Sequence, residues 1–212
     1  LPGMVFFDTA GNLPSSAGRP VSVIAARPEQ ILRGSIHHAA DRAMLREALA
    51  AAPVVAGDHG FPLGGLCGWV DYEGGFIFGV YPEMLVFDHT DHSWWETGSL
   101  SEQLARPVDP HVEIGPFTAA TTPGDFIRGV ERIKEWIAAG DIYQVNLSQP
   151  FTAGVTGGPL FGLYEALRDA SPAPMAAYLS LDGKEVLSSS PETFLKISGS
   201  GIETRPIKGT RP

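Results

Sequence analysis

Near the end of this 212-residue chain stands Pro206-Ile207-Lys208-Gly209-Thr210, flanked by Arg205 and Arg211. A lysine beside glycine and threonine, after a run that reads as strand, suits two kinds of chemistry. It can hold an anion, or its amine can act as a nucleophile if burial or nearby positive charge lowers its pKa. Alone, the five residues describe a solvated turn lysine more readily than a nucleophile. Sixteen residues earlier, Ser188-Ser189-Ser190-Pro191-Glu192 sets a carboxylate just after a strand. Tuned surroundings would make it a general acid or base; alone, it reads as a surface Glu capping a turn. Gln144 and Asn146, two residues apart, would share one face of a strand and either order a loop or line a polar cleft.

Other polar groupings carry less. His37-His38 and the set Asp88, His89, Asp91 and His92 offer metal-ligand types, but the second set falls in an expected hairpin turn, where such residues are usually solvated. Gly64-Gly65 and Gly74-Gly75 match neither a P-loop nor a dinucleotide fingerprint, which argues against a phosphate cradle. The Trp94-Trp95 pair suits strand packing.

The elements that must position these residues are partly legible. Met4–Ala10, Val21–Ala26 and Pro62–Val70 read as strands, and Met84–His89 with Ser93–Thr97 as a hairpin. Met44, Leu45, Ala48 and Leu49 recur at helical spacing over 40–51. Thr122 is a good N-cap, with Pro123 at the first helical position and Asp125 in the first turn. Phe126, Val130, Ile133 and Ile137 then mark one helix face, and Gly140 sits where a left-handed C-terminal residue belongs. Asp141–Gln149 alternates like a strand, Leu160–Arg168 like a helix. Ala176–Leu181, Glu185–Ser190 and Phe194–Ile197 close the chain as strands, with Asp182-Gly183 a hairpin turn between the first two. The Pro- and Thr-rich stretch 105–122 reads as a linker between an N-terminal region, 1–104, and a second region, 123–212. The expected class is α+β, mostly antiparallel.

A 43% hydrophobic fraction gives enough apolar material for a core. The formal net charge of −9 disfavours nucleic acid as a partner. An anionic substrate would then need local positive charge from the site itself. The single cysteine, Cys67, excludes an internal disulfide and fits a reducing, cytoplasmic setting. No run of 18 apolar residues suggests a membrane span, and the N-terminus lacks a signal-peptide pattern. The chain ends inside the Lys208 motif, as a piece of a longer protein would.

Taken together, three stretches resemble hallmarks of the chorismate-utilising enzymes: Ala139-Gly140-Asp141-Ile142-Tyr143-Gln144-Val145-Asn146-Leu147-Ser148-Gln149, Ser190-Pro191-Glu192-Thr193-Phe194-Leu195, and Thr204-Arg205-Pro206-Ile207-Lys208-Gly209-Thr210-Arg211-Pro212. Phe7-Asp8-Thr9-Ala10 and Gly64–Glu73 add weaker matches. The resemblance implies the N-terminal part of the anthranilate synthase component I-like fold, with the catalytic region from residue 123 truncated. It implies Lys208 as covalent nucleophile, Glu192 as general acid/base, and Gly209 and Thr210 as chorismate contacts. Aminodeoxychorismate synthases typically carry Lys at this position, anthranilate synthases Ala, so Lys208 points to the first branch and to p-aminobenzoate and folate synthesis. The resemblance further implies Mg2+, with ligands in a C-terminal half beyond these residues. It implies a glutamine amidotransferase, fused or separate, that supplies ammonia. A tryptophan pocket of the family maps onto Asp8 and Thr9, onto Gly18, Arg19, Pro20 and Val21, and onto Pro174, Met175 and Ala176. The segment around 18–21 departs from the usual Ser-Arg pattern, so the pocket either binds tryptophan or is filled by side chains.

Overall fold

The computed structural model describes residues 1–9, 19–52, 60–103 and 112–207. In chain order the elements are β1 (Val5–Asp8), β2 (Val21–Ala25), β3 (Gln30–Ser35), α1 (Ala39–Ala51), β4 (Gly65–Val70), β5 (Gly75–Tyr81), β6 (Met84–Asp88) and β7 (Ser93–Thr97). There follow β8 (Val112–Ile114), β9 (Thr118–Ala119), α2 (Pro123–Ala139), β10 (Phe151–Thr152) and β11 (Val155–Gly157). The last are α3 (Phe161–Ala170), β12 (Met175–Leu181), β13 (Lys184–Ser190), β14 (Thr193–Ser198) and β15 (Gly201–Arg205). The class is α+β with antiparallel pairing, as expected.

The chain divides into two compact units, one of Leu1–Val108 with Leu160–Pro212, the other of Asp109–Pro159. One break, between Val108 and Asp109, lies within the 105–122 stretch read as a linker; the second, between Pro159 and Leu160, has no counterpart in that reading. Part of that stretch forms β8 and β9. Residues after 160 return to the first unit because β12 hydrogen-bonds to β1, pairing Val5 with Leu179 and Asp8 with Ala176. A linker reading based on local composition has no access to such a distant pairing.

The first unit is built on a six-stranded antiparallel sheet ordered β13-β12-β1-β2-β6-β7. Alternation along β1 sorts its two faces. Val5 and Phe7 join the main core with Val23, Ala25, Met84, Val86 and Leu179. Phe6 turns the other way, onto Tyr164 of α3 and Tyr178, and its ring meets that of Tyr164 edge-on at 5.9 Å. A second sheet, β3-β5-β4, packs Leu32, Phe76 and Val80 under Met44, Leu45 and Ala48 of α1. Gly68 is required there, since a Cβ would lie 2.0 Å from the Ile77 carbonyl oxygen. The β12–β13 turn takes Asp182 and Gly183 at φ +57° and +70°, the left-handed pair that a two-residue hairpin demands.

In the second unit, α2 begins as its sequence indicates: the Thr122 side chain accepts from the Asp125 amide, and Gly140 ends the helix at φ 81°. Two short ribbons, β8–β11 and β9–β10, complete it. Asp141–Gln149, expected as a strand, belongs to no sheet. Its alternation finds no partner strand among the described residues, and Tyr143 is almost fully exposed, at 94%. Among the described residues no helix is long and apolar enough to cross a membrane.

Leu181 is 1% exposed in the main core, whereas Ile202 is 71% exposed. Leu181→Ala is expected to cost about 2–5 kcal/mol in urea unfolding, and Ile202→Ala no more than about 0.5 kcal/mol.

Candidate functional site

Two places in the first unit gather the residues singled out by sequence. The first is a cavity of about 250 Å³, a little below the range that ligand sites usually occupy. Its lining runs from Phe7 through Asp8 to Thr9, takes Val21 and Val23 from β2, and adds Pro174, Met175 and Ala176 at the start of β12. Antiparallel pairing of β1 with both β2 and β12 makes these three segments neighbours. Pro62, Cys67 and Met84 complete the lining. Sequence reasoning missed these three; the only available signal for Cys67 was its place in an apolar strand.

The cavity is mostly apolar, and its polar features are specific. The Thr9 hydroxyl is buried without a hydrogen-bond partner among the described residues, a costly state that a ligand group would relieve. Asp8 is 1% exposed, and its carboxylate serves other groups. It accepts from the Ser22 hydroxyl at 2.6 Å and pairs with the Arg168 guanidinium. Since Asp8 and Phe6 share a face, that carboxylate points toward α3 and away from the Phe7 side of the sheet. Asp8 thus lines the cavity while its carboxylate is taken up by Ser22 and Arg168. Arg19 likewise is committed: its guanidinium pairs with buried Asp88 and reaches Asp91 at 2.6 Å. The Pro20 carbonyl accepts from the His89 amide at 3.0 Å. Of the expected tryptophan residues, the structure brings together Asp8, Thr9, Val21, Pro174, Met175 and Ala176. It turns Arg19 onto the β6–β7 turn, and Gly18 lies outside the described residues.

The second place is the end of β13. Glu192 follows it, exposed, with its amide within 3.4 Å of the Ser190 hydroxyl. In the β14–β15 hairpin Thr193 pairs with Arg205, so Glu192 and Pro206 leave adjacent strands at the same end. Lys208, Gly209 and Thr210 themselves lie outside the described residues. Gln144 and Asn146 are exposed in the second unit. No group of three or more His, Cys, Asp or Glu among the described residues could hold a metal ion. The Asp88–His92 set is spent on Arg19, on Ser22 and on its own turn.

The chorismate binding enzyme family matches residues 8–212, and the chain belongs to it. It is 33% identical over 157 residues to aminodeoxychorismate synthase component 1 of Bacillus subtilis (strain 168), covering 63% of this chain and 33% of that protein. It is 44% identical over 115 residues to anthranilate synthase component 1 of Geobacillus stearothermophilus, covering 52% of this chain and 22% of the relative. Anthranilate synthase component I from Streptococcus pneumoniae TIGR4 shares the fold, with a TM-score of 0.68 at 21% identity over 90% of this chain and 54% of that one. The chain thus spans a third or less of these curated relatives and about half of the solved one.

Burial in the cavity wall pushes the Cys67 thiol up to about 12. A raised thiol pKa leaves almost no thiolate at neutral pH. Iodoacetamide at pH 8 is therefore expected to alkylate Cys67 far more slowly in the folded protein than in urea. Equal rates would contradict the placement.

Proposed function

We propose that this chain forms the N-terminal part of an enzyme that converts chorismate and ammonia to 4-amino-4-deoxychorismate. The observation that carries the reading is the β14–β15 hairpin, which starts the Lys208 motif beside Glu192. Family membership supplies chorismate as the substrate class. Lys208 selects the reaction. Its neutral amine bonds to the ring while the C4–O bond breaks, and Glu192 gives the departing hydroxyl a proton so that it leaves as water. Ammonia then bonds at C4, the carbon–nitrogen bond to Lys208 breaks, and the lysine returns to its neutral form. An alanine at 208 would have no atom for the first step, which sets this reading apart from an anthranilate-forming one. Gly209 and Thr210 would meet chorismate with backbone N–H and hydroxyl.

The rest of the site is assigned by proposal to other polypeptide. Magnesium, which when bound screens substrate carboxylate, would be held by residues outside these 212, and a glutamine amidotransferase would deliver the ammonia. Residues 1–212 alone are then expected to give no ammonia-dependent turnover of chorismate with magnesium present. In a chain of the relatives' full length, Glu192→Gln should lower turnover by about 10²–10⁴-fold. Lys208→Ala should abolish 4-amino-4-deoxychorismate or divert product toward anthranilate. Mass spectrometry of the wild type with chorismate should find an adduct on Lys208; unchanged product formation by Lys208→Ala would sink the covalent assignment.

A second reading has its own observation. The cavity beside β1, with the Thr9 hydroxyl unpartnered among the described residues, supports tryptophan as its occupant. Calorimetry of 1–212 with tryptophan tests this independently of catalysis. Saturable binding that Thr9→Val weakens about tenfold is expected; no heat of binding would refute it.

A further inference from the structure

The acidic residue at the cavity's edge faces away from the cavity, and its partners trace a path to the opposite lip. Arg168 sits in the last turn of α3 and pairs with the buried Asp8 carboxylate. One turn further on, the Ser171 amide donates to the Leu167 carbonyl at 2.8 Å and closes the helix. The Ser171 carbonyl in turn accepts from the Ser189 hydroxyl of β13. Three residues after Ser171 the chain is at Pro174, and the Ala176 amide donates to Ala173 at 3.3 Å. Arg168, the end of α3 and the Pro174–Ala176 lip thus lie on one short, hydrogen-bonded run of chain.

The other carboxylate oxygen is fixed from the opposite side. Ser22 has one hydroxyl proton, which it gives to Asp8 at 2.6 Å. It must then accept at the 2.7 Å contact with His89, so His89 carries its proton on Nε2. The His89 ring is held edge-on to Phe87 at 4.9 Å. Asp8 thus gathers β1, β2, the end of β6 and α3 on the face of the sheet opposite Phe7.

We propose that Asp8 and Arg168, with Ser22, are positioning residues for the cavity: they set its Pro174–Ala176 lip from behind and do not touch the occupant. This rests on the reading that the cavity takes tryptophan. A carboxylate that contacted a ligand's ammonium would discriminate ligands by that ammonium; one acting through the lip would not. The experiment is calorimetry on the 212-residue chain with tryptophan and with indole-3-propionate, which lacks the amino group. The variants are Asp8→Asn, Arg168→Met and Arg168→Lys, and each is first checked for a wild-type circular dichroism spectrum.

Asp8→Asn and Arg168→Met are expected to weaken both ligands by the same factor, about tenfold, with the double variant no weaker than either single. Arg168→Lys, which keeps the charge but not the fork, should recover most of the loss. Selective loss of tryptophan in Asp8→Asn, with indole-3-propionate unchanged, would overturn the proposal while leaving the cavity's occupant intact. Unchanged affinity for both ligands in Arg168→Met would overturn it as well. Failure of the wild type to bind either ligand would remove the underlying reading and this inference with it.

Discussion

The pairing of β1 with β12 is the constraint on which the first unit depends. It joins Val5 to Leu179 and Asp8 to Ala176 across most of the chain's length. Closing so long a loop carries an entropic cost that only buried contacts offset. Val5 is fully buried, and Leu179 and Leu181 are nearly so. From this seam the rest follows in order. β2 pairs on one side of β1 and β12 on the other, so the ends of three distant segments meet around one cavity. β13 pairs with β12 and runs out to Glu192. α3 lies on the far face, tied to β1 through Arg168.

Charge placement explains why that cavity is apolar in a protein of net charge −9. The two carboxylates buried among the described residues, Asp8 and Asp88, are matched by Arg168 and Arg19. A buried carboxylate without such a partner would be strongly destabilising. Arg168 and Arg19 are thereby committed to the fold. What remains for an occupant is shape, apolar contact and a hydroxyl, a combination that suits an aromatic side chain. The same accounting bears on the proposed chemistry. An anionic substrate at Glu192 and Lys208 must find its counter-charge in that motif or in polypeptide beyond these residues.

Local signals in the sequence carried the elements whose determinants are local. Thr122, Pro123 and Gly140 bound α2 because capping acts within a few residues. Asp182-Gly183 turned β12 into β13 because both positions need positive φ. The cavity was legible only through the resemblance, which matched Thr9, Val21 and Pro174–Ala176. The register of β1 against β2 and β12 explains why those segments converge, and no local pattern encodes it. β3, β5 and β15 escaped notice because glycines such as Gly34 and Gly79 break their alternation or a charged residue such as Glu203 ends it. Asp141–Gln149 shows the converse, alternation with no strand among the described residues to pair with. Asp8 was assigned to the pocket because the resemblance maps the family's motif onto Asp8 and Thr9. Its direction, set by strand alternation and by Arg168, is visible only in three dimensions.

The claim that the β1–β12 seam builds one binding cavity from remote segments is tested most directly by hydrogen exchange with mass spectrometry, with and without tryptophan. The account predicts that tryptophan slows exchange in peptides covering Phe7–Thr9 and Met175–Ala176 together, while peptides of β14 and β15 are unchanged. Bound tryptophan that protects only one of the two segments, or neither, would contradict it.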